Sequence, residues 1–385
     1  MNKKAIQRNK SIVTTKELAD SELELLHCIT QMPARCSTGE IDTSCKEDVF
    51  YDLNIYVDIN SGMLQVNPLV PLELLYSIQH NDSIGSTWRC HHQEFSKFIS
   101  ALQPENILEF GAGAGALSKI YLKKNNECKW TIIEMNPTLL QDRTDVVVIQ
   151  KTIDKNTKID LKYDTLVHSH FLEHVYDPAK FIRTLSEQSA KGTKHAFSIP
   201  NFDYWLRNKH ANTLFFEHTV YLDERFMKII LENNGFKVQM IKYYENHSVF
   251  YSCENIKEYM EYDLPSRYEE TKTLYLRYVN YIDNFVNHIN EKIGLNDKIY
   301  LFGAHIFSQI LLCSGLKKEN IHAILDNSDI KIGKRLYGFD YKILNPNIIA
   351  DEKKPIVILN AGSYQNEIKS QLIKINKNVV ILEST

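Results

Sequence analysis

Through the middle of the chain, short apolar runs alternate with longer amphipathic stretches. The runs predict strands at 106–110, 130–134, 145–149, 163–168, 193–199 and 236–244. The stretches between them predict helices at 115–124, 137–140, 178–190 and 223–234, the last stopped by Asn233-Asn-Gly235. Strand and helix in alternation imply an α/β fold with a parallel sheet covered on both faces. Before this region, Lys16–Ile29 carries apolar residues at 18, 23, 25, 26 and 29 and predicts a helix. The runs Val49–Val57 and Gly62–Val66, separated by Asp58-Ile-Asn-Ser61, predict a hairpin. A short helix at Leu72–Tyr76 and a longer one at Thr87–Leu102 follow. After the central region, the Tyr-rich stretch Ile256–Asn290 predicts a helical connector. A second α/β unit opens at Lys298-Ile-Tyr-Leu-Phe-Gly-Ala304, with strands at 321–325 and 355–359 and helices at 305–314 and 363–373. The expected layout is an irregular N-terminal lobe (1–100), a central α/β domain (101–245), a helical connector (246–290) and a C-terminal Rossmann-like α/β domain (291–385).

Composition narrows the class. The 385 residues suffice for two or three cores, and 43% apolar with 24% charged residues describes a globular chain. A net charge of −3 gives no basic field for nucleic acid. No run of about 18 apolar residues predicts a membrane span. The polar start Met1-Asn-Lys-Lys lacks a signal-peptide pattern, so a cytoplasmic location is expected. Seven cysteines without a C-x-x-C pair read as free thiols in a reducing compartment. Cys28, Cys36 and Cys45 stand eight and nine residues apart, unlike structural zinc ligands, and no metal is expected.

The candidate chemistry centres on Ile107-Leu-Glu-Phe-Gly-Ala-Gly-Ala-Gly115, a strand end followed by glycines and a helix start. Glycine at 111 permits a tight turn, and glycine at 113 lets a ligand approach bare backbone. Glu134 ends the next strand, 21 residues after Gly113, near the offset at which an acid meets ribose hydroxyls. In the C-terminal unit Asp326 follows Gly303 at a similar offset, 23 residues.

The G-x-G-x-G turn preceded by Glu109 resembles the first motif of class I S-adenosylmethionine-dependent methyltransferases. An acid there suits a cationic sulfonium with an amino acid end and would disfavour a pyrophosphate. Tyr163–Pro178, with its Leu172-Glu-His174, resembles the fourth-strand region of the same enzymes. Phe215-Phe-Glu-His-Thr-Val-Tyr-Leu222 and the C-terminal Phe302-Gly-Ala304, Ile324-Leu-Asp-Asn327, Lys331-Ile-Gly-Lys334 and Tyr337-Gly338 extend the match. Together they resemble the three-part sugar C-methyltransferases, with an N-terminal zinc lobe, a central cofactor domain and a C-terminal Rossmann-like domain.

The resemblance implies S-adenosyl-L-methionine as cofactor. It also implies, as acceptor, a nucleotide-linked or otherwise activated sugar intermediate of surface polysaccharide synthesis. Gly111, Ala112, Gly113 and Gly115 would pass the cofactor over bare backbone, with Glu109 on its ammonium side and Glu134 on the ribose. Met135 and Ile149 would flank the adenine, and Ser169 and His170 would meet the methionine part. His218 is the implied general base, oriented by Glu217, although neighbours on a strand would point to opposite faces. His174 would project toward the acceptor. Tyr76 and His80 would be counterparts of a tyrosine-rich loop over it, with His91-His92 nearby. The C-terminal unit would shape the acceptor cleft without turning over a cofactor. Two departures stand out. Val57-Asp-Ile-Asn60 replaces the second zinc C-x-x-C pair, and Phe215 stands where the family has tyrosine. Loss of that phenol leaves O- or N-methylation of a sugar or phosphorylated small molecule open. A non-catalytic ligand-binding relative would keep the fold but not these acids and histidines.

Overall fold

The structure, a computed structural model, describes residues 4–76, 85–151, 161–261, 265–294 and 298–383. The N-terminal lobe supplies β1 (Leu23–Pro33), β2 (Thr38–Gly39), β3 (Phe50–Asp58) and β4 (Leu64–Val66). β1, β3 and β4 form one antiparallel sheet, so the predicted hairpin is present. The helix expected over 16–29 is not, because Leu23–Pro33 pairs along β3 instead. Register shifts between Leu25 and His27 and between Ile29 and Met32 break the two-residue alternation. That break hides the strand period in the sequence.

Helices α1 (Leu72–Leu75) and α2 (Ser86–Ser100) lead into the central region. There β5 (Asn106–Phe110), α3 (Ala116–Leu122), β6 (Lys129–Glu134), β7 (Val147–Gln150) and β8 (Thr165–Ser169) are followed by α4 (Pro178–Gln188), β9 (Lys194–Pro200), α5 (Phe202–Arg207), α6 (Glu224–Asn233), β10 (Phe236–Tyr244) and β11 (Ser248–Asn255). They build a seven-stranded sheet in the order β10-β11-β9-β8-β5-β6-β7. The five strands β5 to β9 run parallel, and β11 is antiparallel to both neighbours. Residues 248–255 were expected within a helical connector. Inserted between β9 and β10, β11 is buried on both faces, so it shows no alternation. The connecting helix α7 (Tyr268–Lys292) begins only after it.

The C-terminal part contributes β12 (Ile299–Phe302), α8 (Ile306–Cys313), β13 (Ile321–Leu325), β14 (Arg335–Leu336), β15 (Ile343–Leu344), β16 (Ile356–Ile358), α9 (Gln365–Ile375) and β17 (Val380–Leu382). A parallel sheet runs β15-β13-β12-β16-β17, a Rossmann-like order. The lobe is tied to this part by pairing of β2 with β14. Buried Arg335 forks Asp48 at 2.5 and 3.0 Å and also donates to the Thr43 carbonyl. The lobe also clasps the central domain: the Val66 N–H donates to the Thr219 carbonyl and the Tyr221 N–H to the Leu64 carbonyl. All three parts therefore meet at the C-terminal edge of the central sheet, where open α/β sheets bind ligands. Among the described residues no helix is long and apolar enough to cross a membrane.

Candidate active site

A cavity of about 600 Å³ opens along that edge. Its floor at one end is the turn after β5. Gly111, Gly113 and Gly115 all adopt positive φ there, +66°, +55° and +68°. A Cβ on Gly111 would lie 2.2 Å from the Phe171 ring, so this backbone cannot carry a side chain without displacement. Gly111, Ala112 and Gly113 line the cavity. Gly115, expected beside them, does not. It caps α3, and its Cβ would strike Arg143 and Leu140, so it serves helix packing.

Two acids face this turn. Glu109 is 2% exposed and accepts a 2.8 Å hydrogen bond from the Trp130 indole. Burial pushes its carboxyl up to about 8; Glu134 adds to the rise, while the indole and Arg143 oppose it. A cation bound beside it would restore the ionised form. Glu134 ends β6 with both oxygens oriented: one accepts from the Gly113 N–H and the other from the Asn136 N–H, each at 3.1 Å. A buried cation-seeking acid, bare backbone and a fixed acid fit a cofactor with an ammonium end and a diol.

Met135, Ser169 and His170 also line the cavity. Ile149, expected to flank an adenine, is not among the lining residues. It pairs opposite Ile133 one step short of the sheet edge and packs into the core, while Lys151 reaches the cavity. Ser169 Oγ lies 2.9 Å from Ser198 Oγ. His170 adopts φ +48°, a left-handed residue at the strand end.

The middle of the cavity gathers Tyr76, Glu173, His174, Glu217 and His218. Glu217 and His218 sit on an irregular segment rather than a strand, so both face the cavity and the expectation of opposite faces is corrected. Pairing of Thr219–Tyr221 with the lobe fixes this segment from behind. His218 Nδ1 lies 2.6 Å from the Asn212 carbonyl. A carbonyl only accepts, so Nδ1 carries the proton and Nε2 keeps a lone pair. Burial holds this imidazole well below its ordinary range, with His174 adding to the effect, so it is neutral. Phe215 packs on its ring at 4.5 Å and the His174 ring lies at 5.0 Å. Tyr76 OH is 2.8 Å from His174 Nδ1. The Glu217 carboxylate accepts from the Cys36 N–H at 3.4 Å, bringing the lobe to the site. Glu173 is fully buried and hydrogen-bonded to nothing among the described residues; its nearest partner is His170 Nδ1 at 3.4 Å.

The far end of the cavity is the C-terminal turn. Asp326 accepts from the Ala304 N–H at 2.7 Å and the Ser328 N–H at 2.9 Å, repeating the arrangement of Glu134. It also faces a lysine, Lys331, at 3.5 Å. Gly303, His305, Tyr364 and Glu367 line this end. His80 lies outside the described residues. Cys28 is exposed, Cys36 buried, and Cys45 donates to Asp340, so the three lie in different settings. Sequence reasoning missed the Asn212 carbonyl, His247 and Tyr364. None has a local signal, because each reaches the site through the tertiary fold.

Residues 88–241, less than half of the chain, match a family model described as a methyltransferase domain. No curated protein matches the sequence. Several solved structures are similar to less than half of this chain. One is the N-methyltransferase NodS from Bradyrhizobium japonicum WM9 in complex with S-adenosyl-L-homocysteine, at 15% identity over 46% of this chain and 93% of that one, with a TM-score of 0.35. A second is an S-adenosylmethionine-dependent methyltransferase, so described provisionally, from Listeria monocytogenes, at 14% identity, 43% and 99% coverage and a TM-score of 0.36. A third is an O-methyltransferase family protein from Burkholderia thailandensis, at 11% identity, 45% and 57% coverage and a TM-score of 0.38.

Proposed function

We propose that residues 88–241, a methyltransferase domain whose cofactor is S-adenosylmethionine, serve to methylate a nucleotide-linked or otherwise activated sugar, with His218 as general base. The observation that carries this reading is the single cavity joining the Gly111–Gly113 turn, the His218 group and the Gly303–Asp326 turn. A cavity with two such ends suits two ligands, or one cofactor and an acceptor anchored remotely from its reacting atom. Remote anchoring lets binding energy position the reacting atom.

The bound cofactor supplies an electrophilic methyl carbon. On this reading Glu109 takes the cation end and Glu134 accepts from the ribose hydroxyls. His218 Nε2 takes the acceptor's proton, and the Asn212 carbonyl stabilises the imidazolium that results through Nδ1–H. Tyr76 and His174, joined by their hydrogen bond, present a polar wall to the acceptor. Phe215 and Trp205 keep water from the ring of the base. The acceptor's activating group lies toward Ser328 and Lys331, where a backbone turn and an ammonium meet an anion.

One observation favours a second reading. Phe215 packs on His218 without a hydroxyl, so no phenol at that position can stabilise an enolate. Methylation of an oxygen or nitrogen needs only the base. Incubation with labelled cofactor and a panel of nucleotide sugars, read by mass spectrometry, tests the proposal. The expected result is a product heavier by one methylene, lost in His218→Ala, with NMR naming the atom. A methylated phosphorylated non-sugar and no methylated sugar would contradict it.

A further inference from the structure

Three histidines from distant parts of the chain converge behind the cavity wall. His91 lies on α2, His170 just past β8, and His247 in the turn between β10 and β11. One ring nitrogen from each lies within 4.8 Å of the other two. Their ring centroids are 5.2, 5.4 and 5.2 Å apart. Three imidazoles on one tetrahedral zinc, with Zn–N near 2.0–2.1 Å, place their centroids about 5 Å apart. The ring spacing therefore suits a shared ion, and the three nitrogens would close to about 3.3 Å of one another to hold it.

The hydrogen bonds point the same way. His170 Nε2 and His247 Nδ1 both meet Ser248 Oγ, at 2.7 and 2.6 Å, so they converge on one hydroxyl, which an ion would displace or take as a further ligand. Their distal nitrogens point outward toward polar groups. His170 Nδ1 lies 3.4 Å from Glu173 Oε1 and His247 Nε2 lies 3.2 Å from Tyr364 OH. A carboxylate or hydroxyl on the distal nitrogen is the outer support that metal-binding histidines have. His91 is fully buried, and among the described residues neither of its ring nitrogens has a hydrogen-bond partner. A buried imidazole left unpaired is costly, and a metal bond removes that cost. Trp88 packs against the rings of His91, His170 and His247 and forms an apolar wall.

We propose that His91, His170 and His247 bind a divalent transition metal ion, zinc first, in the wall of the cavity. Three neutral imidazoles suit zinc, and His170 lines the cavity, so the site lies against the cavity wall with Ser248 Oγ beside it. The sequence reading assigns no metal because the three histidines share no local spacing. The ion would join α2 and the central sheet to Tyr364 of the C-terminal part. This proposal does not depend on the identity of the acceptor.

The test uses the full chain without a histidine tag, stripped with chelator and titrated with Co²⁺, then separately with Zn²⁺. The expected result is one equivalent of zinc retained after desalting and the visible absorption of tetrahedral cobalt. His91→Ala and His247→Ala should each lose the bound equivalent, while His322→Ala, an exposed control, keeps it. The cobalt spectrum is read on the unaltered chain, so it holds even if a variant fails to fold. No retained zinc and no cobalt absorption would overturn the proposal. So would zinc that survives both substitutions but is lost in His218→Ala, which would place it at Glu173, His174 and His218.

Discussion

Replacing Glu109 by glutamine probes the cofactor end most sharply. The buried carboxyl sits at about 8, whereas a carboxyl in water sits near 4.3. At pH 6 it is therefore about 1% ionised in the free protein. A ligand whose ammonium needs the carboxylate must first remove that proton. This weakens binding about 100-fold relative to pH above 8, ~2.7 kcal/mol. Titration calorimetry with S-adenosylhomocysteine should show affinity rising about tenfold from pH 6 to 7 and about fivefold from pH 7 to 8. Runs at pH 6 in buffers of different ionisation enthalpy should show roughly one proton released. Glu109→Gln keeps an acceptor for the Trp130 indole but cannot ionise, so both effects should vanish. The groups facing Glu109 are Trp130, Glu134 and Arg143, and all remain in the variant. The same linkage bears on stability. A raised folded pKa gives stability that is full below about 4.3 and declines as pH rises through about 8. The difference in melting temperature between wild type and Glu109→Gln should follow that window. Equal, pH-independent affinities in the two proteins would refute the role given to Glu109.

His218→Ala should lower kcat by about 10²- to 10⁴-fold in single-turnover assays while leaving S-adenosylhomocysteine affinity within roughly threefold. A loss in affinity alone would move His218 from base to binding residue. Gly111→Ala forces a side chain into positive φ and onto Phe171, and should cost at least about 2 kcal/mol in denaturant unfolding and abolish cofactor binding. Arg335→Ala leaves Asp48 buried beside the lobe junction and should cost about 3–5 kcal/mol, read as a lower denaturant midpoint. An unchanged midpoint would show that β2 and β14 are not held by this pair.

What was legible in the sequence was local. The turn at 111–115, the acid at 134 and the strands around them follow from periodicity and glycine placement, which need no distant partner. The histidine at 218 came through motif resemblance, and the structure adds what the motif does not show: the Asn212 carbonyl that sets its tautomer. β1 was hidden by its register shifts and β11 by burial on both faces, each of which erases the alternation that marks a strand. The distance of Ile149 from the sheet edge depends on its register against β6, which periodicity does not give. His91 and His247 carry no signal along the chain, since only the sheet brings them to His170.

The most direct measurement is a crystal structure of the protein soaked with S-adenosylhomocysteine and a nucleotide sugar. The expected density places the nucleoside over Gly111–Gly113 with its ribose at Glu134, and a sugar atom within reach of His218 Nε2. A nucleoside bound elsewhere, with the turn filled by side chains and His218 facing no ligand, would contradict the account.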